Sequence, residues 1–181
     1  GHERLADMSA AAIKAVRFKA TTDRILTLGE LCDLVAGRAT LTLELKSRFD
    51  SDVRLVQRAA EVLASYAGPV AVMSFDPGLV EAVRQIAPGL PRGIVAERHY
   101  THHEWAGLPA AAKRDMAHLL HLHRTRPHFI AYAVKDLPAV APLLARLTFG
   151  LTLLAWTVRS KADRAKAAHW ADQMIFEGFR P

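Results

Sequence analysis

The sequence predicts an α/β fold around a parallel sheet, either a barrel or part of one. Three observations carry this expectation. Strand-like and helix-like segments alternate along the chain with short loops between them, the order that parallel strands with crossover helices require. Val70-Ala71-Val72-Met73-Ser74-Phe75 is a near-continuous apolar run, the pattern of a strand covered on both faces. No Gly-x-Gly-x-x-Gly or Gly-x-x-x-x-Gly-Lys follows any strand, which disfavours a nucleotide-binding doubly wound sheet. A complete eight-unit barrel takes roughly 250 residues, so 181 residues with about six strands make a partial one.

The elements follow in order. Met8 to Lys19 is alanine-rich, with Met8, Ile13 and Val16 on one side of an expected short helix, and Thr21 to Arg24 is a loop. Thr27-Leu28-Gly29-Glu30 matches the Thr-x-x-Glu capping box, and Leu28, Leu31, Leu34 and Val35 keep helical spacing until Gly37 supplies a stop. Thr40 to Lys46 is a strand, Ser47 to Asp50 a loop, and Val53 to Tyr66 a helix with Val53, Val56, Ala60, Leu63 and Ala64 on its apolar face. Gly68-Pro69 precedes the strand Val70 to Phe75. Asp76-Pro77 then pairs an N-cap with proline at the first helical position, opening the helix from Leu79 to Ile86. After Pro88-Gly89 come the strand Arg92 to Ala96, a histidine-bearing loop, and a helix expected from about Pro109 to His123. Phe129 to Tyr132 is a strand, Leu137 to Leu147 a helix stopped by Gly150, and Leu151 to Val158 the strongest strand of the chain. Ser160 opens a helix to about Ala171, and Gln173 to Phe176 is a final strand.

Half of the residues are hydrophobic and 23% are charged, ordinary for one globular domain spanning residues 1–181. The formal charge of +6 comes from Lys and Arg spread along the chain, so nucleic acid is not the expected partner. A single cysteine, Cys32, excludes an intrachain disulfide or a cysteine metal cluster and reads as a buried, inert thiol. No apolar run reaches the roughly 20 residues of a membrane span, and the N-terminus has no signal-peptide layout, so a cytoplasmic location is expected.

The strand from Thr40 to Lys46 ends by delivering a carboxylate and an ammonium two residues apart. Strand side chains alternate, so Glu44 and Lys46 share one face with Thr40 and Thr42, while Leu41, Leu43 and Leu45 take the other. Two readings stand: an exposed ion pair of little energetic weight, or a charged site at the end of a barrel strand.

Taken together with the later strands, the sequence resembles the glycerophosphodiester phosphodiesterases, eight-stranded α/β barrels related to phosphatidylinositol-specific phospholipases C. Leu43-Glu44-Leu45-Lys46 resembles the family's Glu-Ile-Lys strand end, and Ser74-Phe75-Asp76 its Ser-Phe strand end. Trp156-Thr157-Val158 is similar to Trp-Thr-Val-Asn, and Asp172-Gln173-Met174-Ile175-Phe176-Glu177 to Asp-Gly-Ile-Ile-Thr-Asp. The order and strand-end position of these motifs make the match more specific than any one of them. Arg159 and Glu177 depart from the family's asparagine and aspartate.

The resemblance implies a partial TIM (β/α)8 barrel of the phospholipase-C-like phosphodiesterase type, lacking the first strands. It implies a complete enzyme that hydrolyses glycerophosphodiesters to sn-glycerol 3-phosphate and an alcohol, with a divalent cation (Mg2+ or Ca2+) and two histidines. Glu44 is then a metal carboxylate, Lys46 the cation beside the phosphate, and Trp156 a wall of the glycerol pocket or else a buried barrel aromatic. Phe75 reads as packing. The family's His-Arg-Gly, Glu-x-Asp and His-Asp motifs, which precede the Glu-Ile-Lys strand, are absent, so no catalytic set is complete in the chain. It is expected to be inactive alone, and it need not hold a metal by itself.

Nine histidines do not replace that set. His99, His102 and His103 share a loop, His118 and His121 stand one helical turn apart, no carboxylate completes either group at an obvious spacing, and His2 carries no signal. Unpaired strand edges in a part-barrel are usually resolved by association. A homodimer, or a complex with a separate N-terminal part, is therefore expected. A non-catalytic, self-associating scaffold module is the alternative reading, and a short barrel enzyme of unrelated chemistry a third.

Overall fold

The computed structural model describes residues 7–180, so His2 lies outside them. Six parallel strands, β1 (Leu41–Glu44), β2 (Val70–Ser74), β3 (Arg92–Ala96), β4 (Phe129–Ala133), β5 (Thr152–Val158) and β6 (Gln173–Phe176), form one sheet in sequence order. Each strand pairs with its chain neighbours, with Leu43 opposite Val72, Ile94 opposite Ile130 and Tyr132 opposite Ala155. The sheet curls into a partial barrel, and β1 and β6 are its two edges among the described residues.

Every residue of β3 and β4 is buried, as the apolar runs require. Ile94, Ile130, Tyr132, Leu153 and Val158 form the larger core cluster, and Cys32, Val56, Leu63, Val72 and Val83 a second one beneath the first two strands. A third, smaller cluster of Tyr100, Trp105 and Met116 lies under the loop after β3. Arg92 is buried at the start of β3, where its Nε donates to the Thr125 carbonyl at 3.2 Å, which offsets part of the cost of burying a charge. Gly93 follows because a Cβ there would stand 2.1 Å from the Phe129 ring across the β3–β4 pair.

The crossover elements are α2 (Leu28–Val35) ahead of β1, then α3 (Arg54–Leu63), α4 (Pro77–Ile86), α5 (Ala110–Ala117), α6 (Leu122–Thr125), α7 (Val140–Phe149) and α8 (Lys161–Trp170). The capping box forms as expected, with Thr27 and Glu30 exchanging side-chain and backbone hydrogen bonds, and Lys14 beside Glu30 helps hold its carboxyl at about 2. Asp76 caps α4 ahead of Pro77, and Gly150 ends α7 in the left-handed region at φ 65°. Cys32 is buried, and its thiol is pushed up by desolvation.

Three expectations need correction. The helix read over Met8 to Lys19 is only α1 (Ala10–Ala15) and buries no residue, because its few apolar positions have no partner layer. The helix read from Pro109 to His123 is two pieces, α5 and α6, separated where Leu119 adopts φ 56°. The break turns Met116, Leu119, His121 and Thr125 all inward, which one continuous helix would spread over its circumference. His118 is consequently exposed while His121 is buried, so the two share no face. The helix read from Leu137 begins later, at Val140, past Pro138.

Neither ring nitrogen of His121 has a hydrogen-bond partner among the described residues. Burial, and secondarily the nearby Arg124, push its imidazole from 6.5 down to about 4. The ring is neutral in the fold, so the unfolded chain binds the proton first. Its contribution to stability is complete above pH 6.5 and is lost as the pH falls through about 4. Urea unfolding at pH 7 and below pH 4 is expected to show a loss about 3 kcal/mol larger for the natural chain than for His121→Leu. Equal losses in the two proteins would contradict the assignment.

Candidate functional site

Parallel strands all point their C-terminal ends the same way, and those ends surround a cavity of about 670 Å3. The strand read over Thr40 to Lys46 ends at Glu44, so Glu44 lines the cavity as the last residue of β1 and Lys46 from the loop after it, with Phe75 just past β2, Glu97 just past β3, Lys135 from the turn after β4, and Trp156 from β5. The strand end bearing Glu44 is anchored to its neighbour: Ser74 Oγ donates to the Leu45 carbonyl at 2.7 Å, and Ser47 Oγ donates to the Asp76 carboxylate. Asp76 in turn accepts from the Gly78 amide at 2.7 Å, so the N-cap of α4 also fixes the loop after β1.

The sequence-read residues come together. Lys46 Nζ lies 2.6 Å from Glu44 Oε1, with the lysine side chain 78% exposed and the glutamate 26%. The two side chains form an ion pair, and both line the cavity. Trp156 is half-buried, its Nε1 donates to the Ala131 carbonyl at 2.9 Å, and its ring meets Phe75 edge-on at 5.4 Å. Phe75 packs against Trp105 as well, at 5.0 Å. The indole of Trp156 is thus held by one polar contact while a part of it faces the cavity.

Sequence reasoning missed Glu97 and Lys135. Glu97 is buried, accepts from Trp105 Nε1 at 2.9 Å and from Lys135 Nζ at 2.8 Å, and lines the cavity. The available signal was the one used for Glu44, a charged residue placed just past a strand, here past Arg92–Ala96. Trp105 came from a loop whose contacts no periodicity reports. Beneath Trp105, burial pushes the Tyr100 phenol well above its ordinary value. Arg159 and Glu177, the two departures from the family pattern, bond to each other at 2.8 Å across the ends of β5 and β6, and Arg159 lines the cavity. Asp172 works away from the cavity, accepting from the Leu153 amide at 2.8 Å and pairing with Arg146, which ties β6 to β5 and α7.

The histidine loop reaches the lip of the cavity through His102, whose Nδ1 is 3.3 Å from Glu104 Oε1. His102 and His103 stack at 4.1 Å, yet no group of three His, Cys, Asp or Glu side chains among the described residues is arranged to hold a metal ion. Mg2+ and Ca2+ take six to eight oxygen ligands, water included, with more than one carboxylate as a rule among them. Glu44 offers one carboxylate that Lys46 already neutralises, so these residues alone do not fit a cation cage. What the cavity offers is paired charge beside an aromatic wall, Lys46 with Glu44 and Lys135 with Glu97 next to Phe75 and Trp156.

No model of a known protein family and no curated protein matches the chain. Solved structures do. A structure from Silicibacter pomeroyi, assigned as a glycerophosphoryl diester phosphodiesterase, aligns over 96% of this chain and 66% of its own, at 22% identity and a TM-score of 0.71. One from Galdieria sulphuraria, assigned as a glycerophosphodiester phosphodiesterase, aligns over 96% of this chain and 68% of its own, at 17% identity and a TM-score of 0.73. An Oleispira antarctica phosphodiesterase in complex with the product sn-glycerol-3-phosphate aligns over 84% of this chain and 57% of its own, at 18% identity and a TM-score of 0.62. The chain thus spans roughly two thirds or less of the structures it matches. At these identities the likeness establishes architecture: the chain folds as a partial TIM barrel like that of the glycerophosphodiester phosphodiesterases.

Proposed function

We propose that this chain is the C-terminal part of a glycerophosphodiester phosphodiesterase barrel and carries the phosphate and glycerol side of its site. The observation behind this reading is that Glu44, Lys46 and Trp156, three residues chosen from motif resemblance, line one cavity at the C-terminal strand ends. That rim is where barrels of this architecture do their chemistry. In the complete enzyme Lys46 stands beside the phosphodiester, Trp156 forms a wall for the glycerol, and Glu44 is one carboxylate for a divalent cation whose other ligands come from outside these residues. The cation would supply charge neutralisation at the phosphate.

The chain's own residues act by binding and orientation. Lys46 presents a point charge on a flexible stem and Arg159 a planar donor fork, so both favour a phosphate over a neutral ester. Lys135 is committed to Glu97 and holds that carboxylate in place. No histidine in the cavity is oriented by a second group against a phosphodiester, except for the exposed His102 on its lip. On this reading the general acid and base come from outside the described residues, since His102 is the one histidine of the described residues that lines the cavity.

A second reading, a self-associating module, is favoured by one observation. Both β1 and β6 leave a row of backbone donors and acceptors unpaired among the described residues. The two readings are compatible if the edges pair with another segment.

Three outcomes are expected. The purified chain, supplied with glycerophosphocholine and Mg2+ or Ca2+, releases no sn-glycerol 3-phosphate above background, and turnover would overturn the proposed division of the site. Calorimetry with sn-glycerol 3-phosphate shows weak binding that Lys46→Ala lowers by about tenfold, the loss of one charge-assisted contact; unchanged affinity would remove Lys46 from the phosphate. Light scattering gives twice the monomer mass at micromolar concentration, whereas a stable monomer would remove the self-association reading.

A further inference from the structure

Helix α7 inverts the usual arrangement of a surface helix. Its buried residues are Pro142 and Ala145, both small, while Val140, Leu144 and Leu147 are 74%, 56% and 82% exposed. Positions 140, 144 and 147 fall on one line along the outer face of the helix. Arg146, the only charged residue of α7, is directed away from that line, with Nη1 donating to the Trp170 carbonyl at 3.4 Å and Nη2 pairing with Asp172. At the C-terminal end of the helix Phe149, also largely exposed, opens a surface depression of about 430 Å3 that it shares with Leu122, His123, Arg126 and Leu151. An apolar ridge of this continuity on the outside of a barrel calls for something to cover it.

The charge around the ridge selects the occupant. Arg124 is bound to Glu81, Arg146 to Asp172, and Lys135 to Glu97 on the cavity side, so among the described residues Arg126 is the cation left at the rim of the depression, and no carboxylate lines it. We propose that the α7 face docks onto an anionic phospholipid surface, with Leu144, Leu147 and Phe149 entering the boundary between headgroups and acyl chains and Arg126 pairing with lipid phosphate or carboxylate. A convex ridge needs a surface that deforms around it, which a bilayer interface provides. A second copy fits less well, because a two-fold contact over the same patch brings the Arg126 of both copies into one rim with no carboxylate to pair them. The structure has no helix long and apolar enough to cross a membrane among its described residues, so the attachment is to the surface.

Flotation of the whole chain with vesicles tests this. Binding is expected to mixed phosphatidylserine–phosphatidylcholine vesicles, to weaken with added salt, and to be slight with phosphatidylcholine alone. The double variant Leu144→Asp, Leu147→Asp is expected to bind at least about tenfold more weakly. Arg126→Glu weakens binding severalfold and flattens the salt dependence. Circular dichroism melting of each variant matches that of the natural chain, since these side chains lie in solvent. Absence of binding to the anionic vesicles, or undiminished binding by the folded double variant, would overturn the proposal. So would a natural dimer that the double variant converts to monomer, because the face would then belong to a second copy.

Discussion

The rest of this molecule depends on the ladder of backbone hydrogen bonds between parallel strands. A parallel pair cannot be closed by a tight turn, so each strand must be followed by a crossover before the next is laid down. The crossover returns the chain to the starting edge, and every strand therefore ends on the same rim. Residues distant in sequence, Glu44, Glu97, Lys135 and Trp156 among them, meet there because the ladder leaves no other place for the segments that follow β1, β3, β4 and β5. The rim is held from the side as well, since at the end of β2 Ser74 donates and Asp76 accepts across to the segment that follows β1.

Charge on that rim is balanced locally. Glu44 has Lys46, Glu97 has Lys135 and Glu177 has Arg159. The pairs differ in kind. Glu97 is shielded from water and is held by two donors, so the loss of Lys135 would leave a buried charge with only the indole hydrogen bond. The Arg159–Glu177 pair is open to solvent on both sides and contributes little to stability. A solvated pair such as Lys46–Glu44 opens at smaller cost than the buried one. The buried pair positions Trp105 against Phe75, which in turn supports Trp156.

Much of this was legible in the residues, for reasons that can be named. The parallel sheet followed from apolar runs bounded by turn residues, because strands covered on both faces must be apolar throughout. The strand that ends at Glu44 followed from the two-residue period, though it stops short of Lys46, and the start of α2 followed from the reciprocal Thr27–Glu30 bonds, which are local. What was not legible depended on contacts distant in sequence. The break near Leu119 has no proline or glycine to announce it, and it lets Met116, Leu119, His121 and Thr125 all turn inward, which one continuous helix would not. Glu97 was hidden because its partners, Trp105 and Lys135, come from a loop and from the turn after the next strand. The short extent of α1 was hidden for the opposite reason: its sequence is helical enough, but no layer covers it.

The strict order of the sheet has an evolutionary consequence. Since each strand touches only the one before and the one after it, the fold is a row of nearest neighbours, closer in its connectivity to a repeat protein than to a Greek-key sandwich. A gene duplication, fusion or fission at either end of such a row changes one ladder and leaves the other pairings as they were. A change at either edge of the row acts first on one ladder, that of β1 with β2 or of β5 with β6, while the buried strands β3 and β4 keep both of their neighbours.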